Sequence, residues 1–174
     1  MSLEPEFAMT ESRTATADAS GPNAARAEWM GLLARASDTQ LEAAWANFAE
    51  DLGGNAYSVL RAPEKGLVMV RGRAGGDGAP FNLGEMAVTR CSVRLIDGTV
   101  GHAYVAGRSE RHAELAAVFD GLMQTSDWSG RVAEQVLLPI RATLAAARAQ
   151  TAAKTAATKV EFFTMVREQG VGTE

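Results

Sequence analysis

The stretch LGEMAVTRCSVRLIDGTVGHAYVAG, Leu83 to Gly107, decides the fold. Two runs rich in β-branched and apolar residues flank Asp97-Gly98, a pair that tolerates positive φ at both positions. The spacing predicts a hairpin of Leu83–Ile96 and Thr99–Gly107. With Asp97 and Gly98 as a two-residue loop, Ile96 opposes Thr99, Arg94 opposes Gly101, Ser92 opposes Ala103 and Arg90 opposes Val105. Cys91, Val93 and Leu95 then share a core face with Val100, His102 and Tyr104. The other face carries Arg90 and Arg94 opposite small residues, leaving space for a ligand, another chain or a helix of this chain.

Outward from the hairpin, helical and extended patterns alternate. Asn23 or Pro22 opens a first helix with Trp29, Leu32, Leu33 and Ala36 at helical spacing. Asp38 or Ser37 caps a second, striped by Leu41, Ala44, Trp45 and Phe48 and stopped by Gly53-Gly54-Asn55. Tyr57–Arg61 and Leu67–Arg73 read as strands joined by the loop Ala62–Gly66. Gly75–Pro80 reads as a hairpin loop; it lacks the Gly-Lys-Ser/Thr ending of a phosphate-binding loop.

Ser109 caps a helix to about Ser126, with Leu115, Val118, Phe119, Leu122 and Met123 as its stripe. A longer helix follows, carrying Val132, Val136, Ile140 and Leu144, which Pro139 should kink or split. Its Ala142–Ala157 end has few large side chains and offers a smooth surface to a partner. In the last block Val160, Phe162, Thr164 and Val166 alternate, which favours a strand over a helical continuation. Val160, Phe162, Phe163, Met165 and Val166 are candidates for docking on a partner. The fold class expected is α+β: an antiparallel sheet of about four to five strands, flanked by two N-terminal and two C-terminal helices.

The 174 residues, 47% hydrophobic and 22% charged, suit one domain over residues 23–169. Residues 1–22 read as an expression scar (Met1–Ala8) and a disordered tail, and residues 170–174 as a second tail. No apolar run reaches the ~20 residues of a membrane span, and the start lacks the pattern of a signal peptide. With Cys91 as the single cysteine, no internal disulfide or cysteine-based zinc site can form. These features suit the cytoplasm. The net charge of −4 speaks against general nucleic-acid binding. Yet Ala56–Arg108 holds seven cations against four anions, a locally basic segment that suits a small anion or an acidic partner surface, or simply solvated strand ends.

Arg90, Arg94 and Arg108 are the candidates for anion contacts, since guanidinium matches phosphate or phosphonate geometry in two-pronged fashion. The competing reading of each is an ion pair with a neighbouring acid or a partner's carboxylate. His112 can serve as an acid or base by its titration range, or can be a surface or interface histidine. Glu114 lies two residues on, so the pair points to different helix faces and forms no ready metal site. His102 reads as a packed core histidine. No catalytic motif is complete, and no metal is expected.

Thr89, Arg90, Arg94, Asp97-Gly98-Thr99, Gly101, Gly107-Arg108, His112-Ala113-Glu114, Asp120 and the Phe162–Arg167 block, with the Trp29 helix, occur in an order and spacing that resemble the PhnG family. PhnG is a subunit of the bacterial carbon–phosphorus lyase core complex. The resemblance spans about Ala24 to Arg167. It implies a companion subunit working with PhnI, PhnH and PhnL. Together these displace adenine from magnesium-bound ATP by an alkylphosphonate, giving ribose 1-phosphonate 5-triphosphate. PhnI is the nucleosidase-like component, and the iron–sulfur subunit PhnJ later breaks the carbon–phosphorus bond by a radical step. It also implies paired copies of PhnG, PhnH, PhnI and PhnJ in the core, no cofactor held by this chain, and no catalytic residue to transfer to it.

Overall fold

The computed structural model describes residues 22–53, 56–73 and 78–158. Its elements run α1 (Pro22–Leu33), α2 (Asp38–Leu52), β1 (Tyr57–Gly72), β2 (Phe81–Leu95), β3 (Val100–Ala106), α3 (Glu110–Met123), α4 (Ser126–Val132), a π-helical stretch (Ala133–Leu137) and α5 (Leu138–Ala157). The C-terminal block with Val160, Phe162, Phe163, Met165 and Val166, the two tails and the centre of the Gly-rich loop lie outside the described residues.

The α+β class holds, but the described sheet has three antiparallel strands in the order β1-β2-β3, not four to five. The two strands expected around Ala62–Gly66 are one. β1 runs straight through that segment, with register shifts between Val59 and Arg61 and between Arg61 and Glu64. Bulges absorb the extra residues, and Pro63 is tolerated because β1 is an edge strand. The hairpin partner of β1 is therefore β2, with Gly72 opposite Phe81.

The β2–β3 register differs from the expected one by a single residue. Arg94 opposes Val100, Ser92 opposes His102, and Arg90 opposes Tyr104. The cause is the turn. Leu95 N–H donates to Thr99 O at 2.9 Å, and Gly98 N–H to Leu95 O at 3.0 Å. The loop thus has three residues, Ile96, Asp97 and Gly98, closed by Gly98 at φ 90°. Asp97 stabilises it by accepting from Thr99 N–H at 2.8 Å and Thr99 Oγ1 at 3.0 Å. A slip of one residue exchanges the faces of β3. Ala103 and Val105 are buried, and His102 and Tyr104 face outward, so His102 is not a core histidine.

The space expected above Gly101 and Ala103 is filled, on the inner face, by α3. A Cβ on Gly101 would lie 1.9 Å from Ala117 O and 2.6 Å from Gly121 N. This contact makes α3 the central helix. Ten of its fourteen residues are buried, which is why its apolar residues run nearly all round it. The sheet covers one side, and α1, α2 and the π-helical stretch lie around the rest of the core. Phe119 meets Phe48 of α2 edge to face at 5.6 Å, and Phe48 also packs on Trp128.

The remaining helix ends follow their sequence signals. Ser37 caps α2 with a full capping box through Gln40, and Gly53 ends it at φ 75°. Ser109 caps α3. Pro139 splits the last helix as expected. It has no N–H and would clash with the carbonyl four residues back. The chain avoids that clash with a widened turn in which Leu138 N–H reaches Ala133 O. Past Leu144, the side chains of α5 are exposed.

Candidate functional site

The helices pack on one face of the sheet, and none of the described residues covers the other. Cys91, Val93, Leu95, Ala103 and Val105 point into the core. Arg90, Arg94, His102 and Tyr104 point out and are exposed, with Ser92 half-buried among them. Ser58 pairs with Arg94, Arg61 with Ser92, and Glu64 with Arg90, so β1 extends this face. Arg90 donates to Glu64 from Nε at 3.1 Å, its Nη2 lies 3.0 Å from the same oxygen, and Arg61 stands 3.7 Å from that carboxylate. Arg94 has no acidic partner among the described residues. Ser92 Oγ and His102 Nδ1 are hydrogen-bonded at 2.9 Å.

The five candidates from the sequence do not converge. Arg90 and Arg94 share the open face, four residues and roughly 13 Å apart along β2. Arg108 is exposed in the β3–α3 turn and likewise has no acidic partner among the described residues. His112 and Glu114 belong to α3, on the other side of the sheet.

His112 is buried rather than at the surface. Its Nδ1 lies 3.0 Å from Asp38 Oδ1 and its Nε2 2.9 Å from Leu33 O. A carbonyl only accepts, so Nε2 carries a proton and donates to Leu33. Ser109 Oγ donates to the other oxygen of Asp38 at 2.7 Å. The trio is a latch between α1, α2 and α3: the serine bonds the aspartate, not the imidazole, and neither ring nitrogen is free. The Ser109 hydrogen bond holds the Asp38 carboxyl below its usual range, against the opposing effect of partial burial, with help from His112.

Glu114 is engaged as fully. Tyr57 donates its hydroxyl to Oε1 at 2.7 Å, and Arg111 donates to Oε2 at 3.2 Å and to Glu42 at 2.9 Å. Burial first, then the Glu114 hydrogen bond and charge, push the Tyr57 hydroxyl up. Burial opposes the charge on Arg111, but its bonds to Glu42 and Glu114 prevail and raise it further.

Sequence reasoning missed a second polar centre. Asp120 is fully buried and accepts from Arg26 Nη2 at 2.6 Å, Arg26 Nε at 3.2 Å, Trp29 Nε1 at 2.9 Å and His102 N–H at 2.8 Å. Gln124 adds a bond to Val100 O at 3.0 Å. These side chains satisfy the His102 N–H and the Val100 carbonyl, which blocks strand pairing at that end of the free edge of β3. The signal was present. Asp120 is a lone acid in the apolar run Val118–Met123, and Arg26 and Trp29 stand three residues apart on one face of α1.

Most residues that carry the family resemblance thus have a task in the fold: Thr89 donates to Gly107 O at 2.9 Å, Asp97 and Thr99 make the turn, Gly101 admits α3, and His112 and Asp120 join helices. Arg94 and Arg108 have none among the described residues. Among the described residues no group of three or more His, Cys, Asp or Glu could hold a metal ion, and no helix is long and apolar enough to cross a membrane.

The family model for phosphonate metabolism protein PhnG matches residues 24–168. The alpha-D-ribose 1-methylphosphonate 5-triphosphate synthase subunit PhnG of Rhizobium meliloti (strain 1021) is 46% identical over 144 residues, 83% of this chain and 90% of the relative. With both the bulk of the chain and nearly the whole relative matched, this chain belongs to the PhnG family of phosphonate metabolism proteins.

Proposed function

We propose that this chain is a subunit of a ribose 1-methylphosphonate 5-triphosphate synthase. In this reading it acts with PhnI, PhnH and PhnL to displace adenine from magnesium-bound ATP by an alkylphosphonate. The product is handed to PhnJ, and the chain is not catalytic by itself. The observation that carries the reading is the match at 46% identity across nearly the full length of a synthase subunit. The geometry supports a companion role: the one buried histidine is tied at both nitrogens, while arginines stand on a sheet face that none of the described residues covers. The chain itself holds no cofactor in this reading, and its work is to complete a surface or site that other subunits share.

The test is adenine release from magnesium-ATP plus methylphosphonate, measured with PhnI, PhnH and PhnL in the presence and absence of this chain. Release that depends on the chain is expected. Equal release without it would overturn the proposal.

A further inference from the structure

The open sheet face is built like half of a protein interface. Tyr104 is 52% exposed and Met86 43%, and they stand with Arg61, Arg90 and Arg94 on the outer side of the sheet. Exposed aromatic, methionine and arginine side chains together are the composition of interface patches. Three arginines against the single carboxylate of Glu64 make the face positive in a chain of net charge −4. A layer of helices covers one side of the sheet, and none of the described elements covers the other.

We infer that this face docks a helix of another protein chain, apolar where it meets Tyr104 and Met86 and carrying Asp or Glu where it meets Arg90 and Arg94. Three observations favour that occupant over others. The cavity on this face, between Lys65, Gly66, Arg90 and Tyr104, is about 160 Å³. Sites for nucleotide-sized ligands run from about 300 Å³ upward, so a nucleotide has no enclosure here. A two-fold pairing of the face with itself would bring two net-positive surfaces together, which disfavours a second copy. Asp120, Gln124 and Arg26 occupy the free edge of β3 at Val100 and His102, so at that end a partner approaches from above the sheet. Glu64 holds Arg90 in place beforehand, leaving Arg94 as the cation on this face without an acidic partner among the described residues.

This inference rests on the reading that the chain is a synthase subunit, and the experiment separates the two. The full chain is co-expressed with the other synthase subunits, tagged and recovered. Arg94→Glu and the double variant Arg90→Glu/Arg94→Glu should weaken its retention about tenfold or more, with unchanged thermal midpoints. Glu50→Lys, exposed on α2 on the helical side of the sheet, should leave retention as it was. In the otherwise unaltered chain, a photo-crosslinking amino acid at position 104 should capture an acidic helix of another subunit. Full retention of the double variant would overturn the inference while sparing the subunit reading. So would a crosslink to a second copy, to this chain's own termini or to a strand. Failure of the unaltered chain to join any subunit would overturn both. Should the charge variants unfold, the crosslink decides alone.

Discussion

Arg26 on α1 and Asp120 on α3 form a forked ion pair, 2.6 Å from Nη2 to Oδ2 and 3.2 Å from Nε to Oδ1, with the carboxylate fully buried. The same carboxylate receives the Trp29 indole and the His102 backbone. One side chain therefore ties the first helix, the central helix and the edge strand.

Removing one partner of such a pair leaves a buried charge undersupplied with donors. Arg26→Ala should lower the unfolding free energy by about 3 kcal/mol. Trp29→Phe keeps the ring and loses one charge-assisted bond, at about 2 kcal/mol. Urea titrations followed by circular dichroism measure both. A loss within error of zero for Arg26→Ala would show that Asp120 does not depend on it.

This centre also marks the limit of what the sequence made legible. The helices and the caps at Ser37 and Ser109 were readable because capping chemistry is local, and the split at Pro139 because a missing N–H is local too. The β2–β3 register was not, because Asp97-Gly98 suits a two-residue loop as well as the end of a three-residue one. The choice rests on bonds from Leu95 to Thr99 that sequence spacing does not reveal. Merging of two expected strands into β1 depends on bulges, whose extra residues look like a loop when read alone. Of the candidate residues, Arg90 and Arg94 were read on one face of the sheet and stand there, while Arg108 lies in the β3–α3 turn. His112 and Glu114 were absorbed by partners 74 and 57 residues away in the chain.

The His112 latch makes a pH-dependent contribution of known sign. Asp38 titrates below its ordinary value, first because Ser109 donates to it and then because His112 faces it. A carboxyl depressed in the folded state contributes stability fully above the ordinary aspartate value of about 4. That contribution is lost as pH falls through the lowered folded value. Urea midpoints between about pH 5 and 2 should fall more steeply for the unaltered protein than for Asp38→Asn. Ser109→Ala removes the leading cause and should shallow the decline. Parallel acid profiles for all three would contradict the latch.

Cys91 lies under α3 at 1% exposure, and its thiol donates to Arg61 O at 3.3 Å. Burial first, then the Glu114 charge, push the thiol up. Both effects suppress the thiolate that reacts with disulfide reagents. The native protein should react with such a reagent far more slowly than the urea-unfolded chain does at the same pH. Equal rates would mean that the inner face opens readily.

The hairpin register can be tested by exchanging neutral and charged residues on adjacent positions of β3. With Ser92 opposite His102, position 102 faces solvent and position 103 faces α3. His102→Lys should then change stability by no more than about 0.5 kcal/mol, as ordinary surface substitutions do. Ala103→Lys would force an ammonium against the central helix and should cost several times as much, on the order of 3 kcal/mol. The alternative register, with Arg94 opposite Gly101, predicts the reverse order, because His102 would then lie in the core and Ala103 outside it. Thermal unfolding of the two variants side by side distinguishes the registers by the sign of their difference alone. The outcome bears on the interface as well: only the register with Tyr104 outward sets that ring beside Arg90, where a partner helix would meet both.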